Sequence, residues 1–145
     1  MSNLAAYGVT LELPAGWDGR IAERPGGLAV AHAATFPLPA QDGDFALGTT
    51  QKLPADGVVV ALVEYERALA DTPLFDAQGP PQQLAAVDFS PVTLLRRVAG
   101  QSGLQRFFTS AGRAFCLYVV VGSSRPSAAL AAQASAVAST LRFSS

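Results

Sequence analysis

Two segments at opposite ends of the chain constrain its fold more than any other feature of the sequence. Val9–Leu13 alternates apolar and polar residues, the period of a strand with one buried face, and Pro14-Ala15-Gly16 ends it. Residues 127–143 are rich in alanine, and their large apolar side chains recur at helical spacing after Ser124, the predicted N-cap. The two segments predict an α+β fold in which an antiparallel sheet packs against a C-terminal helix.

The residues between these segments predict two antiparallel meanders. Runs of apolar and β-branched residues bounded by turn formers indicate six further strands: Gly19–Arg24, Leu28–Phe36, Gly57–Tyr65, Thr93–Ala99, Leu104–Thr109 and Ala114–Val121. If Ala111-Gly112 is a two-residue turn, Phe108 lies opposite Phe115 and Arg106 opposite Leu117. Residues 66–90 are rich in proline and glycine and predict a long loop with at most one helical turn. We expect one domain with about six to seven strands.

Three features together resemble the PsbP-like superfamily: the first strand followed by Pro14-Ala15-Gly16-Trp17, the run of antiparallel strands, and the closing residues Ser139–Phe143. That superfamily includes a Ran-GTPase-binding protein, bacterial lipoproteins and secretion-effector chaperones. The resemblance follows the order of elements over most of the chain and implies an α/β sandwich. Its members mostly bind other proteins or assemblies and share no active site, so no catalytic residue carries over. The sequence departs from the family pattern in showing little sign of a helix between its first two strands.

Composition limits the partners and the location. The net charge is −1, only 14% of residues are charged, and no basic block is present, so nucleic acid is not an expected partner. The longest apolar run, Ala114–Val121, is far shorter than the roughly 18 residues that a spanning helix needs. The first residues have neither the positive nor the apolar region of a signal peptide. We expect a cytoplasmic protein, or an envelope-associated one if a leader has been removed.

Few residues carry reactive groups. His32, the only histidine, is either a general base or a hydrogen-bonded strand residue among alanines, and the second interpretation is favoured. Cys116 has apolar neighbours, which predicts a buried thiol and not a nucleophile. Asp42-Gly43-Asp44 matches the start of a calcium loop but lacks the later ligands, which favours a solvated turn. We expect no metal and no cofactor, and a non-enzymatic role agrees better with this inventory than catalysis does.

Binding residues can be proposed, each with an alternative. Arg97 and Arg106 belong to a group with Arg96 and Arg113 that is either an anion or acidic-peptide site or a set of edge and solvent-facing charges. The second interpretation is favoured, with some of these arginines paired with Glu64, Glu66 or Asp88. Trp17 either stacks on a ligand or covers the core. Phe75 and Phe89 either anchor a partner or pack back onto the core.

The leading prediction is a non-enzymatic protein-binding or assembly domain that engages another protein or a second copy of itself. Its candidate binding residues are Trp17, His32, Phe75, Phe89, Arg97 and Arg106. The alternative is a small-molecule-binding protein or an unrecognised enzyme with a pocket between the sheet and the helix. That pocket would be lined by Trp17, His32, Tyr65, Arg106 and Tyr118.

Overall fold

The computed structural model describes residues 2–145 and has an α+β architecture with two antiparallel sheets. Its strands and helices, in chain order, are β1 Ser2–Ala6, β2 Val9–Leu13, β3 Asp18–Arg24, β4 Leu28–Ala34, α1 Leu47–Thr50, β5 Val58–Tyr65, β6 Ser102–Ser110, β7 Arg113–Val121, α2 Ala128–Ala138 and β8 Arg142–Phe143. Four 3₁₀ turns lie between β5 and β6, at Arg67–Asp71, Pro73–Phe75, Ala86–Asp88 and Pro91–Thr93.

The larger sheet has five strands in the order β3-β4-β5-β7-β6, and the smaller has three in the order β1-β2-β8. The predicted register of the last hairpin is confirmed, because Phe108 pairs with Phe115 and Arg106 with Leu117. The turn residues Ala111 and Gly112 have φ angles of 53° and 74°. Two successive left-handed residues make a type I′ turn, whose twist matches that of the strands it joins.

The larger sheet is covered on both faces. One face packs against β2 and α2, and this core includes Leu11, Leu62, Leu117, Val119, Leu130 and Val137. The other face, with Ala61, Tyr118 and Val120 at its centre, is covered by Phe45, Leu47, Leu53 and Leu94 from two connecting segments. Every residue of β7 is buried, as expected of a strand inside a two-sided sheet. Of the predicted binding residues, His32 and Arg106 lie on strands of this sheet, and Trp17, Phe75, Phe89 and Arg97 lie on segments between strands.

Several predicted elements differ in the structure. Thr93–Ala99 is not a strand, because Pro91 starts a 3₁₀ turn and the Leu94 N–H bonds back to the Pro91 carbonyl. Helix α2 starts at Ala128, and its N-cap is Ser127, whose Oγ accepts from the Leu130 N–H at 3.1 Å, and not the predicted Ser124. Residues 66–90 contain three 3₁₀ turns where at most one was expected.

The ends of the chain form strands that the sequence did not indicate. β1 pairs with β2 through a turn at Tyr7-Gly8, both with positive φ, and β8 pairs with the opposite edge of β2. β1 is mostly exposed, so its sequence carries no alternation of buried and exposed apolar residues. The strands therefore divide between two sheets, instead of forming one sheet of six to seven strands.

Candidate functional site

The residues of the predicted pocket between sheet and helix do not come together. His32, Tyr65 and Tyr118 lie on one face of the larger sheet, whereas Arg106 lies on the other. Trp17 packs against the core beside β2. The space between the sheet, β2 and α2 measures only about 10 Å³, the lower limit for a single water molecule. This interior is filled by side chains.

Phe75 and Phe89 are folded back onto the core, with 2% and 7% of their surfaces exposed. The Phe75 ring lies between Tyr65 and Phe107, with centroids 5.4 and 5.5 Å away. The Thr109 hydroxyl donates to the Phe75 carbonyl at 2.5 Å and fixes this segment to β6. Both phenylalanine side chains are therefore buried within the fold.

His32 is buried on β4, with 4% of its surface exposed, and both ring nitrogens have partners. Nε2 lies 2.7 Å from the Asp44 carbonyl oxygen, which only accepts, so Nε2 carries the proton. Nδ1 lies 3.5 Å from the Arg20 guanidinium, which only donates, so Nδ1 presents a lone pair. His32 is thus held as one neutral tautomer.

The electrostatics of His32 agree with this geometry. Burial is the largest influence and lowers the pKa of His32; the hydrogen bond to Asp44 opposes that effect and the charge of Arg20 adds to it. An open cavity of about 350 Å³ lies beside the ring, lined in part by Arg20, Asp42 and Asp44. Because both nitrogens are engaged, the ring has no free position for proton transfer to a bound molecule. The arrangement fits a histidine that fastens a loop to the sheet.

Asp42 organises the loop over this cavity. Its carboxylate accepts from the backbone N–H groups of Gly43, Gly48 and Thr49 at 2.8, 3.0 and 2.8 Å, and from the Thr49 hydroxyl at 2.5 Å. Burial alone would raise the pKa of Asp42, but the bonds from Thr49, Gly43 and Gly48 outweigh it and lower that pKa. No group of three or more His, Cys, Asp or Glu side chains in residues 2–145 is placed to hold a metal ion.

The remaining reactive side chains of the sheet are also occupied or buried. Cys116 is 1% exposed, and burial raises the pKa of its thiol to about 12, so the predicted buried thiol is confirmed. The Tyr118 hydroxyl accepts from the Leu95 N–H at 2.9 Å and holds the segment before β6 against the sheet. Neither group is presented to solvent as a nucleophile.

Arg113 is not part of a surface arginine group. It forms a two-point ion pair with Glu64, through Nε at 2.9 Å and Nη2 at 2.8 Å, with both side chains at most 4% exposed. Its other N–H groups donate to the carbonyls of Tyr7, Gly8 and Ser144 at 2.8 to 3.1 Å. The guanidinium therefore joins the first turn, the larger sheet and the C-terminal segment, and has no donor left for a ligand.

Exposed apolar side chains are concentrated in the segment between β5 and β6. Five of the six large hydrophobic residues exposed within residues 2–145 lie there: Leu69, Leu74, Val87, Val92 and Leu95. Val87 and Val92 are 90% and 70% exposed. Buried residues of the same segment, Leu84, Phe89 and Leu94, hold it on the core. The exposed side chains therefore belong to an anchored surface and not to a free loop.

Charge is separated along the chain, a signal that the net charge of −1 hides. All eleven acidic residues occur at or before Asp88, whereas six of the ten basic residues follow it. Within residues 2–145 the ion pairs are Arg24–Asp44, Arg106–Asp88 and Arg113–Glu64. Arg96, Arg97 and Arg125 have no carboxylate within 4.0 Å in the part of the chain that the structure describes. Counting charges in each part of the sequence reveals the excess of basic residues after Asp88, whereas the net charge of the whole chain does not.

These arginines come from loops that meet at one end of the larger sheet. β5 and β6 begin and β7 ends there, and bonds join their loops: Gly122 N–H to Gly57, the Gln101 amide to Thr50, and the Ser102 hydroxyl to the Ser123 carbonyl. We call the exposed cationic residues of these loops, together with exposed Leu95, the loop-end surface: Lys52, Leu95, Arg96, Arg97 and Arg125. Asp56 is the one acidic residue on the same loops. The predicted binding residue Arg97 lies on this surface.

Comparison with protein-family models, curated proteins and solved structures found no match for this chain. The resemblance to the PsbP-like superfamily stays a prediction. Within residues 2–145, no helix has both the length and the apolar character needed to cross a bilayer.

Proposed function

We propose that this protein is a non-enzymatic binding module that holds an acidic segment of another protein on the loop-end surface. The observation that carries the proposal is the position of exposed Leu95 beside Arg96 and Arg97, two guanidinium groups without a carboxylate partner. An apolar contact framed by arginines is typical of protein interfaces, where arginine and large apolar side chains carry much of the binding energy. Val92, 70% exposed, extends the apolar part of the surface.

The loops that carry these side chains are held in place, which lowers the entropy lost on binding. The Leu95 N–H is fixed by Tyr118, and Gln101 is 5% exposed with its amide bonded to the Thr50 carbonyl. The charge of the chain supports an acidic partner, because residues 89–145 contain no carboxylate side chain that would repel one.

Two observations favour this proposal over a small-molecule or enzymatic role. The space between the sheet and α2 is filled, and both nitrogens of His32 are engaged within the fold. The net charge of −1 and the absence of a basic block also disfavour nucleic acid.

The test compares capture of proteins from the native cell lysate by the wild-type chain and by the double variant Arg96→Glu, Arg97→Glu. We expect a stoichiometric partner whose capture falls by about tenfold or more in the variant and weakens with added salt. The matched control is Arg67→Glu, an exposed arginine on the loop after β5, at the opposite end of the sheet. Equal capture by all three proteins would contradict the proposal, as would equal loss in the control.

A further inference from the structure

The outer edge of β6 is only partly covered by the chain. At one end Thr109 exchanges hydrogen bonds with Ala77 and Gly79, at 2.8 and 2.7 Å. At the other end Gly103 exchanges bonds with Ser90 at 3.0 and 2.9 Å. Outward-facing backbone groups recur at every second residue of an edge strand, so Gln105 and Phe107 face the same way as these two residues.

Between the two covered ends, backbone groups of β6 have no partner. Three of them make no hydrogen bond within residues 2–145: the Gln105 N–H, the Phe107 N–H and the Phe107 carbonyl. We call these three groups the edge window. The segment that covers both ends does not pair with these groups and instead contacts α2, where the Leu84 N–H donates to Ser135 Oγ at 2.5 Å. Unpaired strand edges of this kind are templates for an added strand.

Arg106 lies at the window and is held weakly. Its Nη1 donates to the Gln105 carbonyl at 2.9 Å, and its Nη2 lies 3.4 Å from Asp88 Oδ1. The side chains of Arg106 and Asp88 are 40% and 32% exposed, so the ion pair is open to water and exchangeable. A carboxylate on an incoming strand can take the place of Asp88 on this guanidinium.

We propose that the edge window accepts a short extended segment of a partner protein as an added strand, with a carboxylate of that segment paired to Arg106. The inference rests on the proposed function, because it takes the partner to be an acidic protein. A second copy is a poorer occupant, since β6 contains no acidic residue and symmetric pairing about Arg106 would bring like charges together. The added strand would place the rest of the partner beside Val92, on the turn that follows Ser90.

The probe is a blocked pentapeptide of alternating valine and glutamate, titrated into the ¹⁵N-labelled full chain. We expect the Gln105 and Phe107 amides to shift and to exchange with solvent more slowly, with smaller effects elsewhere. Arg106→Gln should weaken peptide binding by about fivefold, and Asp88→Asn, which frees Arg106, should strengthen it. The matched control peptide has lysine in place of glutamate and should bind more weakly than the acidic one.

The window proposal is overturned if millimolar acidic peptide leaves these two amides unchanged, or if the lysine peptide shifts them equally. Dispersed amide spectra establish that Arg106→Gln and Asp88→Asn are folded before their affinities are compared. The variant Arg96→Glu, Arg97→Glu separates this proposal from the previous one. If this variant captures no partner from the lysate but still shows the peptide-induced shifts, both surfaces bind. If the wild type shows the peptide shifts but captures no partner, the window proposal holds and the proposed function is wrong.

Discussion

The buried ion pair between Arg113 and Glu64 gives the sharpest prediction about this fold. Arg113→Met keeps an unbranched apolar stem but removes all five N–H donors. The Glu64 carboxylate would keep only the bond from the Ala29 N–H at 2.9 Å, at a position 2% exposed. The carbonyls of Tyr7, Gly8 and Ser144 would lose their shared donor at the same time.

The expected loss is large because one charge remains buried without its partner. Breaking a buried pair on one side typically costs about 3–5 kcal/mol. A domain of this kind has a free energy of unfolding of roughly 5–15 kcal/mol, so the variant should lose a large share of it. The double variant Arg113→Met, Glu64→Leu should be more stable than Arg113→Met alone, because it removes the uncompensated carboxylate.

The assay is urea unfolding at neutral pH, followed by tryptophan fluorescence, with Arg106→Met as the matched control. Arg106 and Asp88 form a partly exposed pair at 3.4 Å, so this control should lose less than about 1 kcal/mol. The reasoning is refuted if Arg113→Met loses no more than the control, or if adding Glu64→Leu restores nothing.

Acid should weaken the same pair. Burial alone would raise the pKa of Glu64, but the bonds from Arg113 and Ala29 outweigh it and lower that pKa below its ordinary 4.5. The contribution of Glu64 to stability is therefore complete above about pH 4.5 and is lost as the pH falls through the folded-state value. As the pH is lowered through this range, the free energy of unfolding should fall more steeply in the wild type than in the double variant.

Three further predictions follow from the surroundings of single residues. Because the pKa of His32 is lowered, its contribution to stability is complete above pH 6.5 and falls as the pH drops below that value; His32→Gln should lessen this dependence in urea titrations. Gly122→Ala should lose about 1–3 kcal/mol in thermal unfolding, since its Cβ would clash with the Pro54 carbonyl, whereas Gly43→Ala, with open space around it, should change little. Cys116 should react with a thiol reagent only at the rate of unfolding, and fast labelling of the folded protein would contradict its burial.

Local patterns were sufficient for much of the sheet. The β6–β7 hairpin and its register followed from two apolar runs joined by a two-residue turn, because the length of the turn fixes which residues pair. Thr93–Ala99 is not the predicted strand, because the 3₁₀ turn at Pro91–Thr93 overlaps its start and Leu94 packs onto the face of the sheet. β1 was missed because an exposed edge strand needs no apolar alternation and is held by its partner strand.

The candidate surfaces depended on contacts between distant parts of the chain. From the sequence, Phe75 and Phe89 could have been either partner anchors or core residues. In the structure Phe75 packs against the ring of Phe107, and Phe89 belongs to the main core. The arginines of the last third looked alike in sequence. In the structure Arg113 pairs with the buried carboxylate of Glu64, whereas Arg97 lies on the loop-end surface without a carboxylate partner in the described residues.

The sequence by itself determined the α+β class, the final hairpin and the C-terminal helix, because these depend on local periodicity and turn chemistry. Its charge distribution also contained the cationic excess after Asp88, which needs no structure to count. The tertiary structure alone decided that the strands divide into two sheets, which arginines remain free, and that β6 keeps an unpaired edge at Gln105 and Phe107. Those outcomes depend on how segments that are distant in the sequence pack together, because that packing determines which groups are buried and which strands pair.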